Sequence, residues 1–347
     1  MALKTRKPTG KIPPPVVLVE GDEGAGKSWS AAILSASDKV GRTFWLQVGT
    51  EVTADEYGLI EGVRYEIIEH DGSWRAIYGA VVDAKTEAEQ ARKRGEKPTV
   101  LVIDQMGAIW DLLSEWAYNR AKGSTSNVKK LAADPNAEID ITSNYWNDAT
   151  ARWRKLMTTV LTFPGIVVLL ARGRETALIE NGKPVNGKKD YRVEGQKGMA
   201  FDVPVWVRMT RDGNPVLVKR RSVHNAVLPN QRPRALPGFT LEKFIFETLQ
   251  YDPATAGDRE VVPLAAGDDA PLSVAASVID LAITSATTER ELRAAHGKVK
   301  PALDKGDISQ AEAATLWALV NDRKPQVAPE VTPNATPNER QPVEAVA

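Results

Sequence analysis

Short, unbroken apolar runs punctuate the first half of the chain. Val16–Val19, Thr99–Ile103 and Ile166–Ala171 are rich in Val, Ile and Leu and lack the polar alternation of a half-exposed strand, and Thr43–Val48 (TFWLQV) predicts the second strand of the chain. Runs of this kind predict strands buried on both faces, as in a parallel sheet. A further strand is predicted at Tyr65–Ile68. Helical patterning lies between them: Trp29–Ser35 as the first turns of a helix that starts near Lys27, Trp74–Arg94 ending at Gly95, and an amphipathic segment over 107–117. Ala149–Phe163 is a fourth helix, stopped by Pro164-Gly165. Strands alternating with helices predict an α/β fold with a mainly parallel sheet.

The pattern changes past residue 171. Thr176–Glu180 and Lys189–Glu194 flank two Asn-Gly pairs, Asn181-Gly182 and Asn186-Gly187, each a strong hairpin-turn signal. Val203–Thr210 and Val216–Val223 flank Asp212-Gly213-Asn214-Pro215 and predict another antiparallel pair. Leu241–Leu249 is the last core helix. The polar, basic stretch 118–147 contains Gly123-Ser124-Thr125-Ser126-Asn127, a loop signal. The expected organisation is a flexible arm over 1–15, a core over 16–250, a linker over 251–271, a small helical unit over 272–323 and a disordered tail over 324–347.

Composition narrows the function. The 347 residues include no cysteine, which excludes a disulfide scaffold, thiolate metal sites and a Cys nucleophile, and suits a reducing cytoplasm. His70, His224 and His296 show no metal-ligand spacing. No apolar run is long enough to span a membrane, and the basic N-terminus lacks the apolar segment of a signal peptide. A cytoplasmic protein with no membrane partner is expected. The net charge is zero, yet residues 1–250 carry 36 Lys and Arg against 30 Asp and Glu, while the remainder is acidic. A basic core hints at a polyanionic partner.

The chemistry concentrates at Gly21-Asp22-Glu23-Gly24-Ala25-Gly26-Lys27-Ser28, a complete phosphate-binding loop followed by Trp29. It sits between a predicted buried strand and a predicted helix, as the motif requires. The glycines let the backbone wrap and turn its N–H groups towards a polyphosphate, and the helix adds its positive end. The expected ligands are ATP and Mg²⁺, with Lys27 reaching the β- and γ-phosphates and Ser28 ligating the metal. Thr99–Asp104 supplies the other half of such a site: a buried strand whose terminal carboxylate, Asp104, emerges beside the loop to orient Mg²⁺ or its water shell.

The ordered set of motifs resembles the RecA-like core of recombinases and hexameric helicases. It most resembles the short RecA-like recombinases of bacteriophages, proposed to act as single-strand annealing proteins. Actinobacterial phage proteins of this group carry near matches to the loop segment through Ala54-Asp55-Glu56-Tyr57-Gly58. They also nearly match SNYWNDAT (143–150), FPGIVVLLARG (163–173) and VWVRMTR (205–211). The resemblance covers about residues 15–250 and implies a RecA-like P-loop NTPase core. It implies a catalytic Glu after the second strand, here Glu51, with Asp55 and Glu56 as alternatives. It implies a γ-phosphate sensor at the tip of the core strand that follows the Asp104 strand, Ile166–Ala171. That place falls on Arg172, where the family often has Gln or another polar residue.

The resemblance further implies single-stranded DNA binding through two segments, about 118–147 and 173–200. The second carries Arg174, Lys183, Lys188, Lys189, Arg192 and Lys197, with Tyr191 available for base stacking. Lys219-Arg220-Arg221 is a candidate to reach a neighbour's ATP site in a homo-oligomeric ring or filament; a solvated strand face is the alternative. The expected activity is therefore a DNA-dependent ATPase in phage DNA recombination or repair, promoting annealing or strand exchange. Trp29, Trp45, Trp110 and Trp116 are expected in the core.

Two other functions fit the phosphate loop. A small-molecule kinase needs an acceptor pocket and an Arg-rich lid, against which the late hairpins argue. A nucleotide-switch helicase loader needs a protein-binding surface, which the unit at 272–323 offers.

Overall fold

The computed structural model describes residues 5–50, 54–180, 183–222, 231–261, 272–324 and 327. The chain divides into two compact units, Met1–Pro263 and Leu264–Ala347.

The first unit is an α/β core built on one mainly parallel sheet. Its parallel strands are β1 (Val16–Gly21), β2 (Thr43–Gln47), β3 (Tyr65–Ile67) and β4 (Val100–Asp104), with β5 (Ile166–Glu180) joining the same sheet. β6 (Lys183–Val193), β7 (Val205–Met209), β8 (Val216–Arg220) and β9 (Arg234–Ala235) follow. The order across the sheet is β3-β2-β4-β5-β1-β7-β8-β9, with β6 paired to β5 alone. β7 runs parallel to β1, whereas β8 and β9 are antiparallel additions. Strand β5 thus separates β1, which carries the phosphate loop, from β4, which ends in Asp104.

Side-chain alternation along each strand feeds two cores. Val16 and Leu18 point to the face covered by α2 (Trp74–Lys93), α3 (Met106–Lys122) and α5 (Ser143–Leu161), where Ile77, Ile109, Leu113, Trp153 and Leu156 pack. Val17 and Val19 point to the face covered by α1 (Lys27–Ser35) and α7 (Leu241–Lys243), which continues as a π-helical turn over Phe244–Thr248. All four side chains are fully buried. Each contributes roughly 1.5–3 kcal/mol of transfer free energy, so β1 is held on both sides and the loop after it starts from a fixed point.

Three expectations change. The loop expected around GSTSN is helical: α4 (Thr125–Ala133) starts there, with the Ser124 hydroxyl accepting from Asn127 N. Ser and Asn favour helix N-termini as well as loops. The buried Asn127 amide then donates to the carbonyls of Ala121 and Asp140, each at 2.9 Å, and pins the connection to α5. The Asn181-Gly182 pair lies outside the described residues; the flanking strands β5 and β6 are antiparallel and pair from Glu180↔Lys183. Asn186-Gly187 is not a second turn. It lies within β6, where the register shifts between Ala177 and Ile179 and the ladder absorbs the extra residues as a bulge. The core also extends past 250: Tyr251 is buried, and Arg259 donates to the carbonyls of Leu161 and Pro14 at 3.3 and 3.0 Å. Burial holds the Arg259 guanidinium pKa down to about 10.

The second unit is a helical bundle of α8 (Val274–Thr284), α9 (Glu289–His296), α10 (Val299–Asp304) and α11 (Gln310–Arg323). Its core is Ile279, Ile283, Leu292, Val299, Leu316 and Val320. Glu312 accepts from Ser309 N at 2.7 Å, closing a capping box, and from Ser273 N at 2.6 Å, which ties the start of α8 to the start of α11. These backbone donors hold its carboxyl down at about 2. Apart from Lys324 and Val327, the expected tail lies outside the described residues.

Candidate functional site

The phosphate loop follows the carboxyl end of β1. Gly21 is required there by close approach: a Cβ would lie 1.8 Å from the Met209 carbonyl oxygen on β7. Asp22 N donates to that same carbonyl at 3.3 Å, and Ala25 N closes the turn on Asp22 O at 3.3 Å. Gly24 and Gly26 have φ of 69° and 84°, a left-handed conformation that side chains disfavour. Glu23 and Gly24 are exposed on the loop's outer surface. Gly26 caps α1 through its backbone alone, so the first-turn N–H groups of α1 border the loop without a side chain to occupy them. Lys27 Nζ donates to the carbonyls of Gly21 and Asp22 at 2.9 and 2.7 Å, which folds the ammonium back across the loop.

Asp104 ends β4 and is buried. Its carboxylate Oδ2 accepts from the Ser28 hydroxyl at 2.9 Å, joining the two halves of the site. The backbone holds it from both sides: its carbonyl accepts from Val48 N, and its Cα is in register with Gln47 on β2 and Leu170 on β5. The Asp104–Gln105 peptide is cis.

Arg172 lies on β5 directly opposite Gly21. Lys27, Ser28, Asp104 and Arg172 therefore share the carboxyl edge of the sheet. Glu51 lies outside the described residues. Of its alternatives, Asp55 precedes the short 3-10 turn Glu56–Leu59, and both Asp55 and Glu56 are exposed. Trp29 is a correction: it is 51% exposed, edge-on to Tyr57 at 5.9 Å, because α1 buries the opposite side through Ala31, Ala32, Leu34 and Ser35. Trp45 is fully buried, as expected, and Trp110 and Trp116 are half-buried.

The β5–β6 hairpin leaves the same edge. Arg174 pairs with Arg192, Ala177 with Lys189 and Glu180 with Lys183. Lys183 begins β6 at the far end, about 23 Å along the strand from Gly173 at strand rise, and Lys188 lies in the bulged stretch. Arg172, Arg192 and Lys197 line a cleft of about 410 Å³ with Gln105, Trp110 and Asp111. Three cations and an aromatic wall thus adjoin the residue after Asp104.

Lys219 and Arg220 are not a solvated strand face, whereas Arg221, just past β8, is exposed. Lys219 donates to the carbonyls of Ala200 and Phe201, both at 2.7 Å, and Arg221 also donates to Phe201 O. Burial holds the Lys219 ammonium pKa down to about 8, with neighbouring Arg221 adding to the effect. Buried Arg220 donates to the carbonyls of Thr248 and Leu249, satisfying the last turn of the π-helix.

One constellation is invisible in the sequence. Glu20, the residue before the loop, is fully buried. It accepts from Trp206 Nε1 at 2.8 Å and pairs with Arg208 Nε at 3.1 Å, both from β7. The Arg208 guanidinium lies over the Tyr191 ring of β6, 4.2 Å from its centroid. Gly173 fits only because it lacks a side chain: a Cβ would lie 1.9 Å from Glu20 Oε1. Alternating apolar positions gave no hint of a carboxylate inside the sheet; the unusual Glu at the end of an apolar run was the available signal.

The donor set fits a magnesium nucleotide. Among the described residues no group of three His, Asp or Glu forms a metal cage. A hydrated Mg²⁺ on a polyphosphate needs only one or two protein oxygens, and Ser28 with Asp104 offers them. No helix among the described residues is long and apolar enough to cross a membrane.

Fold and site together define a P-loop NTPase domain. The AAA domain family matches residues 14–216, and the chain belongs to that family. No curated protein sequence matches it significantly. Among solved structures it is similar to a prototypical ATPase from the type III secretion system of pathogenic bacteria. That match has 14% identity and a TM-score of 0.32, over 57% of this chain and 51% of that one. The chain thus spans about half the length of that ATPase. It is also similar to the RadB recombinase, with 10% identity and a TM-score of 0.33, over 62% of this chain and 86% of that one. At such identities and scores neither likeness bears on function.

Proposed function

We propose that this protein is a DNA-dependent ATPase that grips single-stranded DNA and promotes annealing or strand exchange in recombination. The observation that carries the reading is the shared sheet edge: the phosphate loop, Asp104 and the root of the basic β5–β6 hairpin meet there, with Arg172 opposite Gly21. Lys27 leaves its loop carbonyls for the β- and γ-phosphates. Ser28 and Asp104 hold the magnesium and its water shell. Glu51 polarises the attacking water, and Arg172 reads the γ-phosphate through a bidentate contact.

Arg174, Lys183, Lys188, Lys189, Arg192 and Lys197 contact phosphates, and the cleft beside Trp110 offers an aromatic face to a base. A homo-oligomer, ring or filament, and a protein partner on the helical unit belong to the same reading.

Steady-state ATP turnover with and without single-stranded DNA tests it. Turnover rises with DNA in the wild type and is abolished by Lys27→Ala in a folded protein. Turnover indifferent to DNA leaves a switch or a kinase in its place, and unchanged turnover in Lys27→Ala removes the site.

A further inference from the structure

We propose that Glu20, Arg208 and Tyr191 form a positioning relay that transmits the state of the phosphate loop to the β5–β6 hairpin. It deepens the function proposed above and rests on the reading of that hairpin as the DNA grip.

Glu20 immediately precedes Gly21, so any shift of the loop's first residue moves its backbone. Its Cα is in register with Arg208 on one side and with Ala171 on the other. Inside the sheet its carboxylate is held by Trp206 and Arg208. Arg208 in turn presents its guanidinium to Tyr191, two residues before the end of β6. The hairpin root meets the same carboxylate directly, because Gly173 leaves no room between the strand and Glu20. One buried ion pair therefore touches the strand that carries the phosphate loop, the strand beside it and both strands of the hairpin.

The chemistry suits transmission better than stability. A buried ion pair is on average no better than apolar packing, since desolvation offsets the attraction. It is directional, however: Glu20 has fixed donors, and the planar guanidinium stacks in one orientation on the ring. A change at the loop that tilts the carboxylate must turn the guanidinium and so shift Tyr191. Apolar side chains at these positions would slide instead.

Amide hydrogen exchange of the hairpin in the full chain, with and without a non-hydrolysable ATP analogue and Mg²⁺, provides the test. In the wild type the nucleotide changes exchange over 174–193 by about fivefold or more, the low end of measured coupling. Tyr191→Leu keeps the ion pair and the fold but removes the stacking partner, and brings that change below about twofold by the same measure. Tyr191→Phe retains the ring and restores it. Arg208→Met gives the same loss but leaves Glu20 without its cation, so Tyr191→Leu is the deciding variant, scored with nucleotide protection of residues 21–28 intact. A hairpin indifferent to nucleotide in the wild type overturns the relay, as does an undiminished response in Tyr191→Leu. A hairpin that responds in a protein that binds no single-stranded DNA supports the relay and refutes the functional reading instead.

Discussion

Gly21→Ala should be among the most damaging single methyl groups that can be added to this protein. The new Cβ would lie 1.8 Å from the Met209 carbonyl oxygen and 2.8 Å from its carbon, where ordinary contacts begin at 3.4 Å. The obstacle is backbone in the adjoining strand, with Val19 and Val207 packed immediately before it, so no flexible side chain can yield. The strands must part at their carboxyl ends, with an overpacking cost of about 1–3 kcal/mol. Parting also breaks the bond from Asp22 N to Met209 O, worth about 0.5–1.5 kcal/mol. The expected loss is about 1.5–4.5 kcal/mol, taken at the loop itself, so nucleotide affinity falls with stability.

Urea unfolding of the first unit, paired with titration of a nucleotide analogue, measures both. Gly79→Ala is the control. Gly79 lies inside α2 with nothing within 4 Å of an added Cβ, so the same methyl should stabilise by about 0.5–1 kcal/mol. Equal effects of the two substitutions, or normal nucleotide binding by Gly21→Ala, would refute the strand-contact argument.

Asp104→Asn preserves the bond from Ser28 in form but removes the charge that orders hydrated Mg²⁺; Mg²⁺-dependent turnover should fall at least about tenfold with the fold unchanged, by steady-state kinetics at varied metal. Replacing Lys183, Lys188 and Lys189 by Ala should weaken single-strand binding and flatten the slope of log K against log salt by about 2–3, with ATP affinity near normal; identical slopes remove the hairpin from the DNA site. Glu312 has a folded pKa depressed from 4.5 to about 2, so its contribution is present above the unfolded value and is lost as pH falls through the folded one. Amide protection in α8 and α11 should therefore drop between about pH 4.5 and pH 2, and Glu312→Gln should lower protection at neutral pH and flatten that dependence.

The parts legible in the sequence were those that physics makes local. Parallel strands buried on both faces read as continuous apolar runs, and so Val16, Val100 and Ile166 each begin an observed strand. The phosphate loop has fixed spacing because its glycines answer to backbone geometry, and Asp104 follows from a buried strand ending in an acid. What stayed hidden depended on distant partners. Trp29 carries an apolar side chain, but only the helix's register against β1 decides that it faces outward. Lys219 and Arg220 look solvated until the carbonyls of α6 (Met199–Asp202) and of Thr248 and Leu249 fold onto them. Ser124 and Asn127 signal a loop and a helix start equally well, and Asn127 settles the matter only through Asp140. Glu20 and Arg208 lie 188 residues apart, and no pattern along the chain connects them.

The central claim is that nucleotide state and DNA grip are coupled across one sheet edge. The most direct measurement is the equilibrium affinity of the wild-type protein for a single-stranded oligonucleotide, in the presence of Mg²⁺ with a non-hydrolysable ATP analogue and then with ADP, at one fixed salt concentration. A coupling of about 1–3 kcal/mol predicts affinities that differ by about 5- to 150-fold between the two states. Equal affinities in both states would contradict it, because a ligand that does not distinguish two states cannot shift the balance between them.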